Sequence, residues 1–218
     1  MKVLELYAGS RSIGRIAEKK GHEVCSVDIK QFGKIDIIKD CEFLTFEDLP
    51  FIPDMIWSGT PCTTYSLAGI SHHRNIDRSA KSEFAKKCDR MNKNNIKLIK
   101  ELLIINPKLV WYIENPRAVL RKMDFMKGLN RTTITYCSFG DTRMKPTDIW
   151  SNNIYDIFNL EGWKPKPICF NGNIKCHHEP APRGSKTGTQ GLKNNHERSK
   201  MPEQLCIEII EATEKLFI

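Results

Sequence analysis

Short apolar runs alternate with helical patterns through residues 1–150, and this alternation constrains the fold more tightly than any other feature of the chain. KVLELY (2–7) reads as a buried strand, and AGSRS after it as a small-residue turn. Ile13, Ile16 and Ala17 then recur at helical spacing up to Gly21, which is placed to stop the helix. EVCSVDI (23–29) and KIDIIKD (34–40) predict a second and a third strand, and DMIWSG (54–59) a fourth between Pro53 and the turn Thr60-Pro61. Ile96, Ile99 and Leu103 mark one face of a helix that ends near Asn106-Pro107, ahead of a fifth strand, LVWYIEN (109–115). A short helix is expected from Pro116 or Arg117, followed by two more strands, TTITYCSF (132–139) and TDIWSN (147–152). Strands separated by helices predict an α/β domain built on a doubly wound, parallel sheet.

From Ser151 to about Lys200 the periodicity gives way to a stretch rich in Pro, Gly, Asn and Lys. A closing helix then carries Leu205, Ile209, Ala212 and Leu216 on one face, with Ser199 as a candidate N-cap and Pro202 near its first turn. The chain has 34 Lys and Arg against 26 Asp and Glu, a formal +8. Residues 164–200 hold eight basic and two acidic side chains and residues 71–93 seven and three, so the excess is local. A basic surface of this kind points to a polyanionic partner, most often nucleic acid. No apolar run approaches the ~18 residues of a membrane helix, so no membrane span is expected. The N-terminus enters the alternating pattern at once, so no signal peptide is expected either. The 8 cysteines are scattered, which fits reduced thiols in a cytoplasmic compartment.

In a doubly wound sheet, ligands bind beyond the carboxyl ends of the strands, and three clusters lie at such ends. Tyr7-Ala8-Gly9-Ser10 follows the first strand, where small residues let backbone approach a ligand, and Asp28 closes the second, where an acid can accept from ribose hydroxyls. A tight turn plus a surface acid is the alternative. Ser58 to Ser66 (SGTPCTTYS) places Cys62 in a turn after a rigid proline with basic residues downstream, a setting that can activate a thiol; a buried structural cysteine is the alternative. Glu114 leaves the apolar strand at Glu114-Asn115-Pro116, where partial desolvation would raise its pKa and suit it to share a proton with a base ring, or where it could cap the next helix.

These residues carry a resemblance. LELYAGSRSIGRIAEKKGHEVCSVDI is similar to the first two motifs of the cytosine-C5 DNA methyltransferases, SGTPCTTYS to their Pro-Cys catalytic loop and IENP to their Glu-Asn motif. FGDTRMKPTDIWSN resembles their later Arg-containing strand motif and MPEQLCIEII their final helix, so the match covers residues 3–150 and 199–210 in the family's order, with small phage-type members nearest. The resemblance implies a Rossmann-like, mostly parallel methyltransferase fold. Residues 1–150 would form its S-adenosylmethionine-binding catalytic domain, 151–200 a small irregular basic recognition region and 201–218 a helix packing back on the core. It implies Cys62 as the nucleophile toward C6 of a flipped cytosine, Glu114 as the holder of N3 and the exocyclic amine, and Arg143 as a contact to the base O2. S-adenosylmethionine would be lined by Tyr7, Ala8, Gly9, Ser10, Asp28, Ile29, Asp40 and Pro61. Double-stranded DNA would meet Ser66, Arg74 and Lys145, together with Arg183, Lys186, Thr187 and Thr189, whose Gly-rich surroundings suit phosphate contact, and residues 70–93 would close over the flipped base.

Two other functions share these residues: methylation of cytosine in tRNA, and nucleic-acid binding without catalysis. The assembly is expected to be a monomer or a homodimer, in a bacterial or phage-infected cell. Cys169, Cys176, His177 and His178 are zinc-compatible in type, but their spacing is not that of a standard finger and a second Cys pair is absent. They are read as an ordinary thiol pair in a loop and assigned no metal, with a structural zinc site as the alternative.

Overall fold

Seven strands, β1 (Lys2–Leu6), β2 (Glu23–Asp28), β3 (Ile37–Ile38), β4 (Met55–Gly59), β5 (Val110–Pro116), β6 (Arg131–Thr135) and β7 (Pro146–Ser151), make one sheet in the computed structural model of the protein. The structure describes residues 1–180 and 195–217. The strand order is β3-β2-β1-β4-β5-β7-β6. The first five strands pair in parallel, and β7 runs antiparallel to both of its neighbours. Among the described residues, five helices accompany the sheet: α1 (Ser12–Lys19), α2 (Ile70–His73), α3 (Glu83–Ile105), α4 (Asn195–Ser199) and α5 (Glu203–Glu214).

Successive side chains on a strand face opposite ways, so an apolar run supplies both faces of a covered sheet. Leu4, Leu6, Ile56, Trp111 and Ile113 join the core with Leu98, Ile99 and Leu102 of α3. Their neighbours Val3, Met55, Trp57, Val110 and Tyr112 join the other core, with Ile13, Ile16 and Ala17 of α1 and Leu205, Ile209 and Ile210 of α5. The fold is thus a Rossmann-like, doubly wound α/β domain whose strand order reverses between β1 and β4.

Polar groups are also built into this interior. Glu5, 2% exposed, accepts from the backbone N–H of Ile13 at 3.0 Å and from Ser26 Oγ at 3.1 Å, tying the start of α1 to β1. Burial pushes the Glu5 carboxyl up to about 7, against the Gly14, Ile13 and Ser26 donors and the nearby Arg11. Gly14 is what allows the approach, because a Cβ there would lie 2.5 Å from Glu5 Oε2.

Several element boundaries differ from the sequence reading, each for a local reason. The third strand shrinks to Ile37–Ile38; Asp36 just before it turns its carboxylate to the backbone N–H of Ser26 at 2.8 Å. The central helix begins earlier, at Glu83, because Ser82 accepts from Ala85 N at 3.1 Å and caps it. The helix expected after Pro116 is instead a pair of 3-10 turns at Leu120–Lys122 and Asp124–Met126. The sixth strand stops at Thr135 and a 3-10 turn over Tyr136–Phe139 follows, closed by Gly140 at φ 84°. Ser199 ends α4 rather than capping the last helix, whose N-cap is Pro202. Residues 152–180 hold no helix or strand, only a bridge between Ile154 and Trp163. No helix among the described residues is long and apolar enough to cross a membrane.

Candidate active site

The β4–β5 register sets the core of the site. Gly59 lies opposite Glu114, so the turn after β4 emerges beside the carboxyl end of β5. Asn115 locks this turn: its Nδ2 donates to Thr60 O at 2.9 Å and to Thr60 Oγ1 at 3.2 Å. Pro61 and Cys62 follow at once. The Cys62 carbonyl accepts from the backbone N–H groups of Tyr65 at 3.0 Å and Ser66 at 2.9 Å, so a helical turn starts at the cysteine. Cys62 remains partly exposed, whereas Glu114 is buried.

Because β7 is antiparallel, its amino end reaches the same rim as the carboxyl ends of the parallel strands, and this brings in a cation. Lys145, just before β7, places Nζ 4.0 Å from Glu114 Oε1. Tyr136, at the end of β6, donates its hydroxyl to the same oxygen at 3.1 Å and accepts from Lys145 Nζ at 3.4 Å. Burial pushes the Glu114 carboxyl up, with Asp148 adding to the effect, against the pull of Lys145 and Tyr136. Burial also pushes the Cys62 thiol up; Lys145 and Arg198 pull it down and Glu114 pushes it up. Cys62 and Glu114 therefore share one electrostatic environment, with Lys145 between their fields. A buried carboxyl biased toward holding a proton, beside an accessible thiol, suits addition of sulfur to a ring whose nitrogen must be protonated.

The second half of the site lies at the ends of β1 and β2. Tyr7 and Gly9 adopt left-handed backbone, at φ 55° and 47°, a conformation that glycine takes without a Cβ penalty. The turn is pinned by Ala8 N donating to Val27 O and by Gly9 N donating to Asp28 Oδ2, both at 3.0 Å. Asp28 Oδ1 accepts from Lys30 N at 3.1 Å, and each carboxylate oxygen retains acceptor capacity. Ile29 beside it is 51% exposed. A cleft of about 320 Å³ lies against Gly9 and Ser10, with Phe32, Gly33 and Lys34 among its other lining residues. Ser10 Oγ is 2.9 Å from Ser12 Oγ. Asp40 is held by Lys87 at 2.5 Å and by the backbone N–H of Glu42; burial raises its carboxyl, but these partners leave it lowered overall.

Other candidate residues are engaged differently. Arg143 pairs with Asp141 and donates to the carbonyls of Arg198 at 3.1 Å and Lys200 at 2.9 Å, fastening the segment before α5 to the rim. Arg74, expected to face DNA, has its side chain buried. It donates to Asp89 Oδ1 at 2.7 Å and Thr64 O at 2.9 Å and lies 4.2 Å over the Tyr65 ring. Its role here is internal: it docks residues 64–74 on α3. The stretch 70–93, expected to be a closing loop, is in large part helix, since α3 begins at Glu83. Ser66 Oγ donates to Thr63 O at 3.2 Å. Arg183, Lys186, Thr187 and Thr189 lie outside the described residues. The sequence assigns no site role to Asn115, Tyr136 or Arg198. The adjacency Glu114-Asn115 was a usable signal for the first, whereas Tyr136 and Arg198 are recognisable only once β7 is known to be antiparallel.

No protein-family model matches the chain, and no curated protein is similar to it in sequence. Solved structures are. The Entamoeba histolytica methyltransferase EhMeth superimposes with a TM-score of 0.50 at 13% identity, over 76% of this chain and 55% of that one. The S. pombe Dnmt2 methyltransferase does so with a TM-score of 0.50 at 15% identity, over 69% and 49%. The chain spans about half the length of these two proteins. The chain thus shares the Rossmann-like fold of these two proteins.

Proposed function

We propose that this chain is a DNA cytosine-C5 methyltransferase that uses S-adenosylmethionine and acts on double-stranded DNA. One observation supports the reading above all: the β4–β5 register and the Asn115–Thr60 bonds bring the turn that carries partly exposed Cys62 to the end of β5, where Glu114 is buried with its carboxyl pushed up. The methyltransferase fold and the local basic charge support it.

Tyr7, Ala8, Gly9, Ser10, Asp28, Ile29, Asp40 and Pro61 would hold the cofactor. The fit is chemical: Asp28 offers acceptors for ribose hydroxyls, exposed Ile29 an apolar surface for a purine, and the Gly9 turn close backbone approach. When bound, S-adenosylmethionine supplies an electrophilic methyl group. The protein must make C5 of cytosine nucleophilic, and this falls to Cys62 and Glu114. The Cys62 thiolate adds to C6, forming the C–S bond; the displaced electron pair is directed toward N3, where the Glu114 carboxyl donates its proton. C5 is then an enamine carbon. Once it is methylated, the N3 proton returns to the Glu114 carboxylate, and loss of the C5 proton to solvent with cleavage of the C6–S bond returns the thiolate and the aromatic ring. Lys145 assists at both ends by stabilising the thiolate and the carboxylate that Glu114 becomes. C6 is inaccessible in a stacked duplex, so the base must be everted at a cost of a few kcal/mol.

The test is covalent trapping. A duplex containing 5-fluorocytosine, with S-adenosylmethionine, is expected to give a denaturation-resistant adduct that maps to Cys62. Turnover on cytosine without an adduct overturns the mechanism; labelled methyl in tRNA and none in DNA overturns the substrate assignment.

A further inference from the structure

Outside this site, the irregular segment that follows β7 returns to the end of β6 and brings four soft ligands together. Sγ of Cys137, Cys169 and Cys176 and a ring nitrogen of His178 all lie within 4.8 Å of one another. Cys137 sits in the 3-10 turn after β6, far from the other three in sequence. It replaces His177, which is exposed and outside the group, as the fourth member of the set that spacing alone left incomplete. We infer that Cys137, Cys169, Cys176 and His178 form a structural zinc site that clamps residues 164–180 to the end of β6.

The geometry is that of a tetrahedron nearly closed. Zn–S bonds of about 2.3 Å and Zn–N bonds of about 2.0–2.1 Å at tetrahedral angles put sulfur and nitrogen about 3.6 Å apart. Cys169 Sγ and His178 Nδ1 are 3.6 Å apart. Three thiolates and one imidazole form a complete four-coordinate set with no position left for substrate, which is the structural class of zinc site. Binding releases the three thiol protons to solvent, and the cluster carries one net negative charge.

The surroundings orient the ligands as an outer shell does. Asn173 Nδ2 donates to Cys169 Sγ at 3.3 Å, and the Asn173 carbonyl accepts from Cys176 N at 3.1 Å. Cys169 N donates to Thr135 Oγ1 at 2.9 Å, and Ser138 Oγ donates to Pro167 O at 3.0 Å, so the segment meets the β6 turn on both sides of Cys137. The segment also needs a clamp. It has no regular structure, and its large apolar side chains bury little: Ile168 is 50% exposed, Phe170 63% and Ile174 97%. A segment with no core of its own is the setting in which metals take over from hydrophobic burial. The clamp also bears on the active site, because Cys137 follows Tyr136, whose hydroxyl holds Glu114.

The experiment is elemental analysis of the full chain purified without chelator or affinity tag. Stoichiometric zinc is expected, retained in His177→Ala and lost in Cys176→Ala. Replacement by Co(II) in the wild-type chain is expected to give the intense visible absorption and sulfur-to-metal charge transfer of a tetrahedral thiolate site, a readout that does not depend on any variant folding. Chelation is expected to speed tryptic cleavage after Lys175 at least several-fold. Absence of both zinc and the cobalt spectrum overturns the assignment. So does a disulfide among the three cysteines in reduced preparations, or zinc that survives in Cys176→Ala and disappears in His177→Ala.

Discussion

The candidate catalytic rim and the segment 152–180 are built by opposite means. At the rim, backbone register does the positioning: Gly59 faces Glu114 because β4 and β5 pair that way, and every strand involved is buried on both faces. In the segment, no ladder fixes the backbone: buried Ile154 and Trp163 seat its start, and contacts around the β6 turn together with the inferred metal hold the rest. The difference explains how a chain of 218 residues can hold a rigid candidate reaction centre next to an irregular region. The sheet makes the precise part, and the attached part is free to vary in sequence as long as its anchor points remain.

Four measurements break or sharpen this comparison. The largest effect belongs to the rim: Cys62→Ser is expected to lower methyl transfer at least about a thousandfold with an unchanged melting temperature. Full activity in that variant would remove the nucleophile. Glu114→Gln, assayed by single-turnover methylation, should lose about a hundredfold. Its thiol should remain fully alkylatable, because the turn that carries Cys62 is held by Asn115 and not by Glu114.

Stability separates the two regions directly. Leu102 is fully buried, and Leu102→Ala is expected to cost about 2–5 kcal/mol in denaturant titrations. Phe170→Ala should change global stability by less than about 0.5 kcal/mol. A cost for Phe170 comparable to that for Leu102 would mean that the segment is part of the core after all. The smallest effect is electrostatic. Lys145 pulls the Cys62 thiol down, so Lys145→Met raises its pKa and lowers the thiolate fraction. Iodoacetamide labelling of Cys62, followed by peptide mass spectrometry, should slow roughly threefold to tenfold near pH 7, and the two rates should converge at high pH, where both thiols are ionised. Equal rates at all pH values would remove Lys145 from the thiol's environment.

Much of the architecture was legible in the chain. The runs KVLEL, EVCSVD, MIWSG and VWYIEN became strands because two-sided burial requires continuous apolar stretches, and β1 to β5 took the parallel arrangement that strand–helix alternation implies. Cys62 and Glu114 were visible because each ends such a run. Arg74 was misleading for a physical reason: composition marks a basic loop but does not reveal that Asp89 and Tyr65 have already taken the guanidinium.

The sequence by itself determined which residues lie along each strand and which chemistry-bearing groups stand at strand ends, since both follow from local periodicity. Only the tertiary structure decided who meets whom across the sheet. The antiparallel turn of β7 brought Lys145 and Tyr136 to Glu114, and the return of the irregular segment brought Cys169, Cys176 and His178 to Cys137. Those meetings depend on strand register and on packing between residues distant in the chain, and no local pattern of side chains encodes them.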